Sequence, residues 1–261
     1  MSVQSYLESR ASGAVLSSTE KSSIETSVST LSTRLTSYFA SDVTSKFKFG
    51  SFTRGTILPR SMDLRSDVDY MIVFSDEDSK PQTYISRLKR FAEKYYSSSE
   101  IAQSSPTVVL SLNHIRFDLV PAIKSYIQEY RIPAPASSYE DWTATSPNDF
   151  NSTITSANTT SNYKLKPAIR LLKYWNAKSG YVYDSYSLEK WVAEKYFFSC
   201  TTVRDYLFCC IDDLSLSYTE AQWRKDKLQR AKDIVNKTKE YERDGMPYSA
   251  ESEVKKLIPE A

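Results

Sequence analysis

The 261-residue chain carries 34 basic and 32 acidic side chains, for a formal net charge of +2, and 40% of its residues are hydrophobic. That apolar share supports a packed core, while the charge balance excludes a global field pulling the chain toward nucleic acid or an anionic membrane; any nucleic-acid surface would have to be local. One histidine, His114, and three cysteines, Cys200, Cys209 and Cys210, are too few soft ligands for a structural zinc and argue against histidine-assisted nucleophile chemistry.

The first 30 residues lack the basic start and apolar centre of a signal peptide, and no apolar run approaches the roughly 18–20 residues that span a bilayer. A cytoplasmic protein without membrane attachment is the expectation. Ile24, Val28, Leu31 and Leu35 recur at helical spacing, and Tyr38 and Phe39 continue the stripe, which predicts a long N-terminal helix. Residues Tyr70 to Phe74 read as a buried strand, and Pro81 opens a helix with Tyr84, Ile85, Leu88, Phe91, Ala92 and Tyr95 on its apolar face.

Next come two β-rich runs around the turn at Asn113-His114, the second meeting Pro121, which predicts a strand pair. From about Pro133 the chain turns rich in Pro, Ser and Thr, and the remainder reads as helices near 163–176, 186–198, 203–215, 220–243 and from Ser249, with a further one within 143–162. The expected organisation is a mixed α+β domain over 1–140 and a helical domain over 141–261.

Chemistry concentrates in "FGSFTRGTILPRSMDLRSDVDYMIVF", residues 49–74, which holds two of the chain's five glycines. Asp67 and Asp69 lie two apart at a strand entry, so the strand's period of two points both carboxylates to one face, where oxygen donors suit hard divalent cations. Upstream, Gly50-Ser51 and Gly55-Thr56 bracket a turn where backbone amides and hydroxyls can approach an anion. Asp118, in the second β-run of the pair, supplies a third carboxylate, and three aspartates from adjacent strands make a two-metal site for phosphoryl or nucleotidyl transfer.

"GSFTRGT", "DVD" and the later "FDLVP" resemble the DNA-polymerase-β-like nucleotidyltransferase superfamily. "LKPAIRLLKYWN" and "DSYSLEKWV" resemble, more narrowly, the bacterial CD-NTases (cGAS/DncV-like nucleotidyltransferases) together with the oligoadenylate synthases and cyclic GMP-AMP synthase. The resemblance implies a nucleotidyltransferase fold, a mixed sheet with flanking helices and a long N-terminal helix, followed by a helical bundle of the oligoadenylate-synthase type. It implies that Gly50 and Ser51 hold the donor triphosphate and that Asp67, Asp69 and Asp118 are the catalytic metal ligands for two Mg²⁺ ions, with Mn²⁺ as an alternative.

The same resemblance makes Lys173 and Ser185 phosphate contacts and Tyr186 the aromatic that stacks on a base. Nucleoside triphosphates are then the substrates, a cyclic di- or trinucleotide messenger for antiphage signalling is the product, and the C-terminus is a possible handle for a regulatory protein. Two alternatives use the same fold: tailing of an RNA end without a template, which the near-neutral charge disfavours, and nucleotide binding without catalysis, which the three intact aspartates disfavour.

Overall fold

A computed structural model describes residues 2–104, 106–126, 129–135 and 141–260. The chain divides into two compact units, one formed by 17–54 and 65–149, the other by 1–16, 55–64 and 150–261. The sequence reading has a single crossing at 140/141, at the edge of the stretch 136–140, which lies outside the described residues. The structure instead assigns the first 16 residues and a ten-residue excursion, 55–64, to the helical unit.

The first unit is a sheet covered on one face by helices. Helix α2 (Ser18–Phe39) follows α1 (Val3–Gly13) and starts in a capping box: Ser17 accepts from the amide of Glu20, whose carboxylate accepts from the amide of Ser17. Strand β1 (Val43–Phe49) and a five-residue helix α3 (Gly50–Arg54) lead toward β2 (Asp67–Phe74). Helix α4 (Pro81–Tyr95) begins on proline, and β3 (Glu100–Ser104), β4 (Thr107–Ser111), β5 (Arg116–Lys124), β6 (Tyr130–Pro133) and β7 (Trp142–Thr145) complete the sheet.

The strand order is β1-β2-β5-β4-β3, with β6 pairing β5 and β7 pairing β6. All pairings are antiparallel except β2 with β5, the central pair. Strand alternation separates the two faces of β2: Val68, Tyr70, Ile72 and Phe74 face one way, and Asp67, Asp69, Met71 and Val73 the other. On the first face Phe74 meets Phe39 of α2 at 5.3 Å and Tyr84 of α4 at 5.0 Å between ring centroids. On the second, Met71, Val73 and Ala122 form a buried cluster with Phe47, Phe49, Tyr130 and Ile132 beside it.

The second unit is helical. Helices α5 (Asp149–Thr160), α6 (Leu165–Lys178), α7 (Ser185–Glu194), α8 (Val203–Asp213), α9 (Gln222–Arg243) and α10 (Pro247–Leu257) share one core. Helix α6 runs through it with Leu171, Leu172, Tyr174 and Trp175 buried. Helix α1 packs Val3, Tyr6, Leu7 and Ala11 into this core, and the Tyr6 hydroxyl donates to the Ile258 carbonyl at 2.6 Å, tying the two ends of the described chain together. The three cysteines are free thiols; Cys210 is buried, and burial raises its pKa well above the ordinary thiol value.

The long helix before the motif, the helix from Pro81, the strand pair and the helical second half all match the sequence reading. The structure adds α1, β1, β3 and the short strands β6 and β7, with β7 lying past the point where β-rich sequence was expected to end. The turn read at Gly50 is the short helix α3. Among the described residues, no helix is long and apolar enough to cross a membrane.

Candidate active site

Asp67 and Asp69 sit in β2, Asp118 in β5, and the parallel register sets Asp69 directly opposite Asp118 and Asp67 opposite Arg116. Alternation therefore puts all four side chains on the sheet face away from α2 and α4. Arg116 takes the middle of this acidic edge. Its Nε donates to Asp118 Oδ1 at 2.9 Å and its Nη2 to Asp118 Oδ2 at 3.2 Å, and the same Nη2 lies 3.8 Å from Asp67 Oδ2. The hydrogen bond to Asp118 leads the causes that raise the Arg116 pKa; desolvation opposes it, and attraction to Asp118, Asp67 and Asp69 reinforces it.

The donor set suits a hard divalent cation in chemistry and in register: three carboxylates, two of them directly opposed on adjacent strands. Among the described residues no three His, Cys, Asp or Glu side chains are gathered into a metal cluster. Arg116 supplies the positive charge that such carboxylates need. A cation binding there would have Asp118 exchange a guanidinium for a metal ion, an exchange between partners of the same sign.

Gly50 has a structural reason beyond anion approach. Its φ is +72°, and a Cβ built there would stand 1.9 Å from Asp69 Oδ2. The carboxylate occupies the space a side chain would need, so glycine at 50 fixes where Asp69 points. Gly50→Ala is expected to cost about 1–3 kcal/mol of stability from backbone strain and to displace the Asp69 carboxylate. Thermal melting and a crystal structure of the variant check the two effects separately. Ser51 follows in α3 and is half-buried.

The other expected residues belong to the helical unit. Lys173, on α6, is buried, and its Nζ donates to Glu189 Oε1 at 2.6 Å. Glu189, on α7, is 1% exposed and also accepts from the Thr56 hydroxyl at 2.8 Å. Thr56, read from sequence as a phosphate donor, is thus fully buried with its hydroxyl on a carboxylate. Arg170, one turn before Lys173, donates to the Gly55 carbonyl at 3.0 Å, so two successive residues of the 55–64 excursion are held, Gly55 to α6 and Thr56 to α7.

Ser185 is the first residue of α7, after Asp184, whose carboxylate caps the helix through the Ser187 amide at 2.7 Å. Tyr186 is half exposed and meets Phe150 edge to face, with centroids 5.7 Å apart. Its ring therefore keeps exposed surface. Asp67, Asp69, Asp118, Gly50 and Ser51 lie together in the sheet unit, and Lys173, Ser185 and Tyr186 in the helical one.

Sequence reasoning missed Arg116 and Glu189. Arg116 was readable, because residues two apart on a strand share a face. Glu189 lies 16 residues from Lys173 and 133 from Thr56, and nothing in local spacing joins them. His114, set aside as catalytic, lies in the β4–β5 turn with Nε2 3.0 Å from the Ser27 hydroxyl.

Comparison with curated proteins finds no match. Among solved structures, CdnC of E. coli MS115-1 with ATP is 13% identical, covers 98% of each chain and superposes with a TM-score of 0.73. The CD-NTase CdnG of Bradyrhizobium diazoefficiens, in complex with GTP, is 11% identical over 97% of each chain at a TM-score of 0.69. The Vibrio cholerae DncV cyclic AMP-GMP synthase, in complex with the linear intermediate pppA(3′,5′)pG, is 11% identical, covering 82% of this chain and 68% of that one at 0.65. Such identities establish the shared α+β nucleotidyltransferase fold. The sequence itself matches the model of the Second Messenger Oligonucleotide or Dinucleotide Synthetase domain over residues 1–158, more than half its length. The protein belongs to that family, the CD-NTases, and is a nucleotidyltransferase.

Proposed function

We propose that this enzyme joins nucleoside triphosphates into a cyclic di- or trinucleotide second messenger, with release of pyrophosphate, as the signal of an antiphage response. The observation that carries the reading is the register of Asp69 against Asp118, with Asp67 on the same face, in a chain of the synthetase family. Asp67, Asp69 and Asp118 would hold divalent ions, two Mg²⁺ or alternatively Mn²⁺. Such ions, when bound, neutralise developing charge on the transferred phosphate and make a nearby hydroxyl more acidic.

The chain's own residues take the remaining roles. Gly50 leaves the backbone bare beside Asp69, and Ser51 offers a hydroxyl and an amide to the triphosphate. Asp118 accepts the proton of the attacking ribose hydroxyl, and the ribose oxygen forms a bond to the α-phosphorus while the bond to the pyrophosphate oxygen breaks. Lys173 and Ser185 bind phosphate, and Tyr186, with ring surface exposed, stacks on a base. Repeating the same transfer, twice in all for a dinucleotide and three times for a trinucleotide, closes the ring.

The relatives support the substrate class. CdnC is described with ATP, CdnG with GTP and DncV with a linear dinucleotide carrying a 5′-triphosphate. CdnC is also described in complex with a HORMA protein, which supports a regulatory protein partner for this chain. A cytoplasmic setting, where nucleoside triphosphates are made, fits the free thiols.

Incubating the purified protein with Mg²⁺ or Mn²⁺ and the four labelled nucleoside triphosphates should yield phosphatase-resistant products without a primer. Elongation of an added tRNA or oligonucleotide, with no small product, would replace this reading with RNA tailing. Nucleotide binding without turnover under either metal would point to a non-catalytic module.

A further inference from the structure

The ends of α6 and α10 and the middle of α9 enclose a cavity of about 300 Å³ in the helical unit. Its floor is apolar, with Trp175 and Ile234 buried there, and its charged lining is entirely basic: Lys178, Lys227, Arg230 and Lys256. That volume sits at the lower end of the range typical of small-molecule sites.

Two of these cations have an ordinary explanation. Lys178 and Lys256 lie in the last turns of α6 and α10, where positive charge offsets the free carbonyls of a helix end, and Lys256 also pairs with Glu253 at 2.6 Å. All four side chains are exposed, and Lys227 and Arg230 have no such helix-end role. They stand three residues apart on the same face of α9, mid-helix, where like charges repel. Neither forms an ion pair among the described residues, and Lys178 faces only the Tyr174 ring, 5.5 Å from its centroid. A concave site that gathers repelling cations and no carboxylate is built for an anion of more than one charge.

We propose that this cavity binds a small polyphosphate anion, as free pyrophosphate or as the phosphate tail of a nucleotide, at a site separate from the aspartate triad. The four cations meet phosphate oxygens, and the apolar floor lowers the local dielectric and so strengthens those contacts. The inference rests on the helical unit alone and stands independently of nucleotide joining.

The test is calorimetry on the full chain in EDTA, with pyrophosphate as probe. Wild type should bind, and Lys227→Gln with Arg230→Gln should weaken binding by about tenfold or more while the melting temperature without ligand stays unchanged. Should that variant unfold, Lys256→Gln alone serves as the second variant and should weaken binding in the same direction. ATP that displaces pyrophosphate identifies a nucleotide tail as an occupant; ATP that does not identifies free pyrophosphate. Absence of binding to wild type, or equal affinity in the variants, overturns the proposal.

Discussion

Asp67→Ala combined with Asp69→Ala is expected to leave the chain folded and to lower nucleotide joining by at least about a thousandfold. The two carboxylates contribute little to the fold. Both are only partly buried, and β2 is anchored on its opposite face by Val68, Tyr70, Ile72 and Phe74, all within a few per cent of full burial. Arg116 keeps its two hydrogen bonds to Asp118, so removing the pair leaves this guanidinium paired. Stability should therefore change by no more than about 1 kcal/mol. What disappears is the charge that would gather divalent ions against the α-phosphate. Circular dichroism melting, set beside chromatographic separation of labelled products, reads both quantities, and undiminished product in a folded variant removes the triad from the mechanism.

The features legible in the sequence were those that repeat over short range. The 3.6-residue stripe from Ile24 to Phe39, the helix from Pro81 and the alternating aspartates are local patterns, and the structure has them within a few residues of the expected bounds. Strand β1 carries Phe47 and Phe49 in alternation with Lys46 and Lys48, but it is short and its burial is only partial, so the apolar signal is weak. Strands β6 and β7 have four residues each, too few for a period to stand out. The polar contacts were less legible because they are made across long sequence separations. Gly50 was noticed as a glycine near phosphate chemistry, yet its nearest obstacle is Asp69, 19 residues on. Thr56 was grouped with its neighbour Gly55, whereas its hydroxyl is committed to Glu189.

Glu189→Ala is expected to destabilise the protein by about 3–5 kcal/mol, the range for removing one partner of a buried ion pair, which is about a fifth or more of the roughly 5–15 kcal/mol that holds a typical domain folded. The deletion strands two groups at once. Lys173 would keep its ammonium in a buried position with its 2.6 Å partner gone, and the Thr56 hydroxyl, fully buried, would lose its acceptor. Lys173→Met should be costly for the converse reason, since Glu189 would keep its charge in a buried position without its 2.6 Å partner. The double change, Lys173→Met with Glu189→Leu, should regain most of the lost stability, because replacing both ions by apolar groups removes the desolvation cost together with the attraction. Urea midpoints for wild type, Lys173→Met, Glu189→Leu and the double variant give the coupling energy. Nucleotide joining then separates structure from chemistry: if the pair only holds α6 to α7, activity returns with stability in the double variant. If Lys173 serves the triphosphate as proposed, the double variant is stable and still shows a raised KM for nucleoside triphosphate, because Glu189 positions a lysine that the refilled core no longer contains.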